Sequence, residues 1–203
     1  MILEFCYQLI TVFRPRHSNV VLGLVTVVFA GATTPPIAEQ MIKSSFAAQR
    51  PVLMVLGDSL VAGHGLPQGE AFPEILGQML QNDGVDVRII NAGVSGDTTA
   101  GGLARLDWSL ADNPDAAIIV LGGNDLLRGL DPSASFANLD KIITELKTRN
   151  IAVLLAGMQA PRNFGSEYAD EFDSIYQRLV ERHDVLFYPF FLDGVALQPM
   201  MNL

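Results

Sequence analysis

A serine becomes a nucleophile where its hydroxyl faces a substrate, a base can take its proton and donors stand ready for the developing oxyanion. Ser59 lies in Gly57-Asp58-Ser59-Leu60, directly after the apolar run Val52 to Leu56. That position presents it at the end of a buried strand, and Gly57 lets the chain turn there without a side chain obstructing a ligand. The competing role for Ser59 is an ordinary helix N-cap.

Two further loops repeat this placement. Asn91-Ala92-Gly93-Val94-Ser95-Gly96-Asp97-Thr98 and Gly122-Gly123-Asn124-Asp125 each follow an apolar run. Glycines at 93 and 96 free backbone N–H groups to face a cleft, and the Asn124 amide is a neutral donor suited to an oxyanion. Turn chemistry, with Asp97 or Thr98 capping the next helix, explains the same residue types, and both roles can hold together.

These loops need a scaffold that brings strand ends together. The apolar runs Val52–Leu56, Val85–Ile90, Ala116–Leu121, Ile151–Ala156 and Val185–Phe187 read as strands. Between them, Phe72–Gln81, Thr98–Leu110, Ser133–Arg149 and Ser166–Arg182 carry apolar residues at helical spacing. Strands apolar on both faces, alternating with amphipathic helices, predict a three-layer α/β/α sandwich around a mostly parallel, flavodoxin-like sheet of about five strands. Ligands of such sheets bind beyond the carboxyl ends of the strands, where all three loops begin.

Composition narrows the function classes. The 203 residues carry 13 Lys and Arg against 22 Asp and Glu, a net charge of −9. Such a surface repels phosphate backbones and argues against a nucleic-acid partner. Cys6 is the single cysteine, so no disulfide framework or thiolate site is expected. No H-E-x-x-H, C-x-x-C or Walker sequence occurs, and no metal or organic cofactor is implied. Arg14, Arg16 and His17 precede the apolar run Val20 to Ala32, the pattern of a secretory signal peptide. Residues 1–48 are therefore expected to be a leader and 49–203 the folded domain, with export to the periplasm. An N-terminal membrane anchor is the alternative, although the run is short for a span.

Taken together, GDSL at 57–60, NAGVSGDT at 91–98, LARL at 103–106 and LGGND at 121–125 resemble, in order, blocks of the SGNH-hydrolase (GDSL esterase/lipase) family. The likeness runs from Val52 to Phe191 and is greatest to the bacterial periplasmic arylesterase, thioesterase and lysophospholipase branch. It implies a serine hydrolase of carboxylic esters or thioesters, with Ser59 as nucleophile. It further implies an oxyanion hole of the Ser59 N–H, the Gly93 N–H and the Asn124 side chain. The partner would be a small acyl ester or thioester, whose acyl chain Leu126, Met158 and Phe164, with Leu66, Leu127 and Tyr168, are candidates to contact, although most residues of these types at helical spacing are core.

The resemblance fails at one block. Members of the family supply the base from a C-terminal D-x-x-H motif, yet the residues three before His17, His64 and His183 are Arg14, Val61 and Val180. The family's catalytic Asp and His therefore have no counterpart here, and the domain is expected to be C-terminally incomplete, lacking its last helix. A catalytically inactive or ligand-binding relative is the rival reading, and a flavodoxin-like mononucleotide-binding protein is a second.

Overall fold

A computed structural model describes residues 50–196. The expected leader and the last seven residues lie outside the described residues.

Five parallel strands form one sheet in the order β2-β1-β3-β4-β5: β1 Val52–Gly57, β2 Arg88–Gly93, β3 Ala116–Val120, β4 Ala152–Ala156 and β5 Leu186–Tyr188. All five residues of β3 are buried, as are the last five of β1. Consecutive side chains point to opposite faces, so both faces of the central sheet must be covered. The helices that connect the strands provide that cover: α1 Ser59–Ala62, α2 Phe72–Asn82, α3 Thr99–Ala104, α4 Leu106–Ser109, α5 Gly123–Leu127, α6 Pro132–Thr148 and α7 Ser166–His183. A 3-10 turn, Arg162–Phe164, precedes α7.

The longer helices arise from simple periodic patterns. In α6, Asp131 accepts from the Ser133 N–H at 2.8 Å and Pro132 sits in the first turn, both favourable N-terminal devices. Its Leu139, Ile142, Ile143 and Leu146 are buried, and it packs against both α3 and α7. In α7, Ala169, Phe172, Ile175, Tyr176 and Leu179 form the inward stripe. Along it, Phe172 lies 6.0 Å from Tyr176 in edge contact.

Two sequence expectations shift. The second strand runs over Arg88–Gly93 rather than Val85–Ile90, because its register with β1 pairs Arg88 with Val52 and Gly93 with Gly57. Val85 is used instead to close the end of α2, its N–H donating to the Leu80 carbonyl at 2.8 Å. The helix expected over Thr98–Leu110 is divided at Arg105, whose backbone departs from helical geometry at φ −104° and ψ 7°. The one-turn helices α1 and α5 are additional, and both begin at predicted functional loops.

The order 2-1-3-4-5 sets the location of a site. From β1 the chain passes to β2 on one side, and from β3 it proceeds to β4 and β5 on the other. The crevice between the carboxyl ends of β1 and β3 is the topological switch point, where open α/β sheets bind ligands. Ser59 follows β1 and Asn124 follows β3.

Candidate active site

The turn after β1 is tightly determined. Asp58, not Ser59, caps α1: its Oδ1 accepts from the Leu60 N–H at 3.0 Å. Ser59 is thereby released from the capping role, and its hydroxyl makes no hydrogen bond among the described residues. A Cβ at Gly57 would fall 2.3 Å from Val61 Cγ2 and 2.8 Å from the Val120 carbonyl oxygen, so only glycine fits between α1 and β3.

Asp58 also joins the first loop to the third. Its second oxygen, Oδ2, accepts from Asn124 Nδ2 at 3.1 Å. An amide nitrogen carries two hydrogens, so fixing one on Asp58 leaves the other as a donor of fixed direction. Asp58 is only 2% exposed. Burial pushes its carboxyl above the usual 3.8, against the opposing pull of the Leu60 and Asn124 hydrogen bonds.

Asn124 owes its position to its neighbours. Gly122 adopts φ 116°, and a Cβ there would lie 2.2 Å from the Tyr176 hydroxyl, which donates to the Leu121 carbonyl at 3.0 Å. Complete burial raises the Tyr176 hydroxyl well above 10, so it remains a neutral donor. Next to Asn124, buried Asp125 accepts from the Thr99 N–H at 2.8 Å, from Thr99 Oγ1 at 2.6 Å and from Ser135 Oγ at 2.8 Å. These bonds tie α5 to the first turn of α3 and to α6.

The second loop divides its glycines between two tasks. Gly93, expected as an oxyanion donor, already gives its N–H to Asn91 Oδ1 at 3.0 Å. Its hydrogen-bearing α-carbon packs against α1, where a Cβ would come within 2.2 Å of the Ala62 nitrogen. Gly93 is thus a close-approach position with its donor occupied. Gly96 has left-handed φ 84°, and its N–H meets no acceptor among the described residues. Its carbonyl, in the following peptide, accepts from Arg128 Nη2 at 2.7 Å. Helix capping falls to Thr98, whose Oγ1 accepts from the Gly101 N–H. Asp97 instead pairs with Arg105 at 2.5 Å.

Of the apolar candidates, Leu126 and Met158 are 7% and 4% exposed and belong to the hydrophobic core, which removes most of their surface from any ligand. Phe164 is exposed and stacks on Tyr168 with centroids 6.1 Å apart. Leu60, Leu66, Val94 and Leu127 are the exposed apolar side chains of the three loops and their adjoining helices. Of these, Leu60 and Val94 lacked a distinguishing pattern in the sequence beyond adjacency to the motifs.

The histidines separate clearly. His17 lies outside the described residues. His183 Nε2 is 2.7 Å from Asp140 Oδ1, which also binds Arg182, in a pair joining α7 to α6. His64 is exposed, and its backbone N–H donates to the Ser59 carbonyl at 3.2 Å. Among the described residues, no group of three or more His, Cys, Asp or Glu is placed to hold a metal ion. None of the described helices is long and apolar enough to cross a membrane.

Asp58 and Arg105 contribute to this site without having been singled out by the sequence as functional. Each was visible only as part of a motif, GDSL or LARL.

Comparison with known proteins identifies the family. Residues 55–201 match the GDSL-like lipase/acylhydrolase family. An arylesterase of Vibrio mimicus is 43% identical over 148 residues, 72% of this chain and 74% of that protein. Esterase TesA of Pseudomonas aeruginosa is 38% identical over 168 residues, 82% of this chain and 83% of its own length. Among solved structures, the SGNH-hydrolase family esterase AlinE4 superposes with a TM-score of 0.74 at 49% identity, covering 77% of this chain and 84% of that one.

Proposed function

The chain belongs to the GDSL-like lipase/acylhydrolase family and is a serine esterase by that membership; from this premise we propose that Ser59 is its nucleophile. The observation that carries the assignment is the division of labour in the first turn. Asp58 takes the helix cap and the Asn124 amide, so the half-buried Ser59 hydroxyl at the switch point is committed to nothing else.

Ser59 Oγ attacks the acyl carbonyl carbon, losing its proton to a base as the carbonyl π electrons move to oxygen. The oxyanion is met by the Ser59 N–H, the Asn124 amide hydrogen left free by Asp58, and the Gly96 N–H in the role first expected of Gly93. Collapse of the tetrahedral intermediate expels the protonated alcohol or thiol, and water then releases the acid through a second such intermediate. The base is not assigned to His183, whose Nε2 is engaged by Asp140, nor to His64, which shows no hydrogen bond to the Ser59 hydroxyl.

Aryl esters, acyl thioesters and lysophospholipids are the proposed substrates. Leu60, Leu66, Val94 and Leu127 beside the loops favour an apolar acyl group. Arylesterase and thioesterase/lysophospholipase relatives point the same way. Export to the periplasm is proposed from the leader pattern, and cell fractionation checks it: retention in the cytoplasm would refute it. For the activity, hydrolysis of p-nitrophenyl esters by the full-length protein should vanish in Ser59→Ala. Equal rates in the two proteins would support the ligand-binding alternative.

A further inference from the structure

Gly101 and Gly102 weaken the helix that ends at Arg105, and the arginine side chain at the break takes up partners outside it. At the division between α3 and α4, Arg105 turns toward the sheet and its side chain is only 17% exposed. Nη2 donates to the Gly57 carbonyl at 3.0 Å and to the Ala92 carbonyl at 2.9 Å. Nε donates to Asp97 at 2.5 Å, and Nη1 to Ser109 Oγ at 3.1 Å.

The two carbonyls are the adjacent ends of β1 and β2. Gly57 is bonded to Asp58, and thus enters the nucleophile's turn. Ala92 shares its peptide with the Gly93 N–H, which Asn91 holds from the other end. Asp97 follows Gly96 directly. One planar cation therefore grips the segment before Ser59, the segment before Gly96 and the residue after it. The loop is tied a fourth time, since the Val94 N–H donates to the same Gly57 carbonyl at 3.0 Å.

Space for this arrangement is provided by a glycine. A Cβ at Gly101 would lie 2.6 Å from Asp97 Oδ1, so any larger residue would displace the carboxylate from the guanidinium. The arrangement spends a nearly buried ion pair, which is weak evidence for stability because desolvation offsets much of the attraction. Its geometry is better suited to registry than to stabilisation.

We infer that Arg105, held by Asp97, is a positioning residue that sets the distance between the nucleophile and the oxyanion donor of the second loop. This rests on the assignment of Ser59 and Gly96 proposed above. A lysine preserves the charge at this position but cannot present the planar fork to a carboxylate and two carbonyls at once. The charge and the geometry are therefore separable.

The test is steady-state hydrolysis of a p-nitrophenyl ester by the full-length wild type, Arg105→Lys, Arg105→Ala, Asp97→Asn and Ser59→Ala, with circular dichroism and Tm for each. Misplacing reacting groups by a fraction of an ångström lowers turnover with little change in ground-state binding. Arg105→Lys and Asp97→Asn should lose about 10- to 100-fold in kcat with KM within about twofold, while retaining the native spectrum. Methylguanidinium should restore part of the kcat of folded Arg105→Ala. A lower Tm with unchanged kcat in Arg105→Lys and Asp97→Asn would overturn the positioning role and leave Ser59 standing. Equal rates for wild type and Ser59→Ala would overturn both assignments.

Discussion

Asp58, which holds the Asn124 amide, also carries a cost that depends on pH. Its carboxyl is raised above 3.8 chiefly by burial, so the folded protein binds that proton more tightly than the unfolded chain. The stabilising contribution is complete below the unfolded value and is lost as pH rises through the raised one. Urea denaturation from about pH 3 to pH 7 should therefore show wild type losing unfolding free energy relative to Asp58→Asn across that window. Parallel pH profiles would contradict a raised carboxyl. In the oxyanion role proposed for it Asn124 would act in the transition state, and Asn124→Ala should then lower kcat about 100-fold or more while KM changes little. A change confined to KM would remove Asn124 from the oxyanion hole. Asp58 and Arg105 illustrate what motif reading leaves out: their roles depend on partners 66 and 48 residues away, Asn124 and Gly57.

The elements make their own demands. β2 and α1 approach so closely at Gly93 that an added methyl would overlap the Ala62 nitrogen, a backbone atom unable to rotate away. Gly93→Ala should consequently cost about 1–3 kcal/mol or more, read as a fall in the urea midpoint. An unchanged midpoint would show that the two elements separate freely. α5 depends on Asp125, which is 1% exposed and receives three hydrogen bonds. Asp125→Ala strands the Thr99 N–H and two hydroxyls in a dry interior and should destabilise the fold by about 2–4 kcal/mol. Strand identities were legible from runs such as Ala116 to Leu121 because burial on both faces writes itself as continuous apolarity. The start of β2 was not, since Val85 and Val87 fit a strand equally well, and register with β1 decides where pairing begins. The contacts that Arg105 makes at the interruption of the helix were also invisible, because its partners are carbonyls at the ends of two distant strands.

For the whole molecule, the strand order explains why three weak loop motifs form one site. Pairing β1 between β2 and β3 brings Gly57, Gly93 and Val120 into neighbouring positions, and each motif continues from there. The three loops and the place of Ser59 after β1 were therefore readable from sequence, whereas the proposal of Gly96 in place of Gly93 rests on hydrogen-bond partners that no spacing reveals. Leu126 and Met158 were candidates to contact an acyl chain, and the fold placed them in the core. The central claim is that Ser59 is the nucleophile. Its most direct test is labelling of the full-length protein with a fluorophosphonate, followed by intact-mass and peptide mass spectrometry. A phosphonyl adduct on the peptide containing Ser59, absent from Ser59→Ala, is the predicted result; no adduct, or the same adduct in Ser59→Ala, would contradict it.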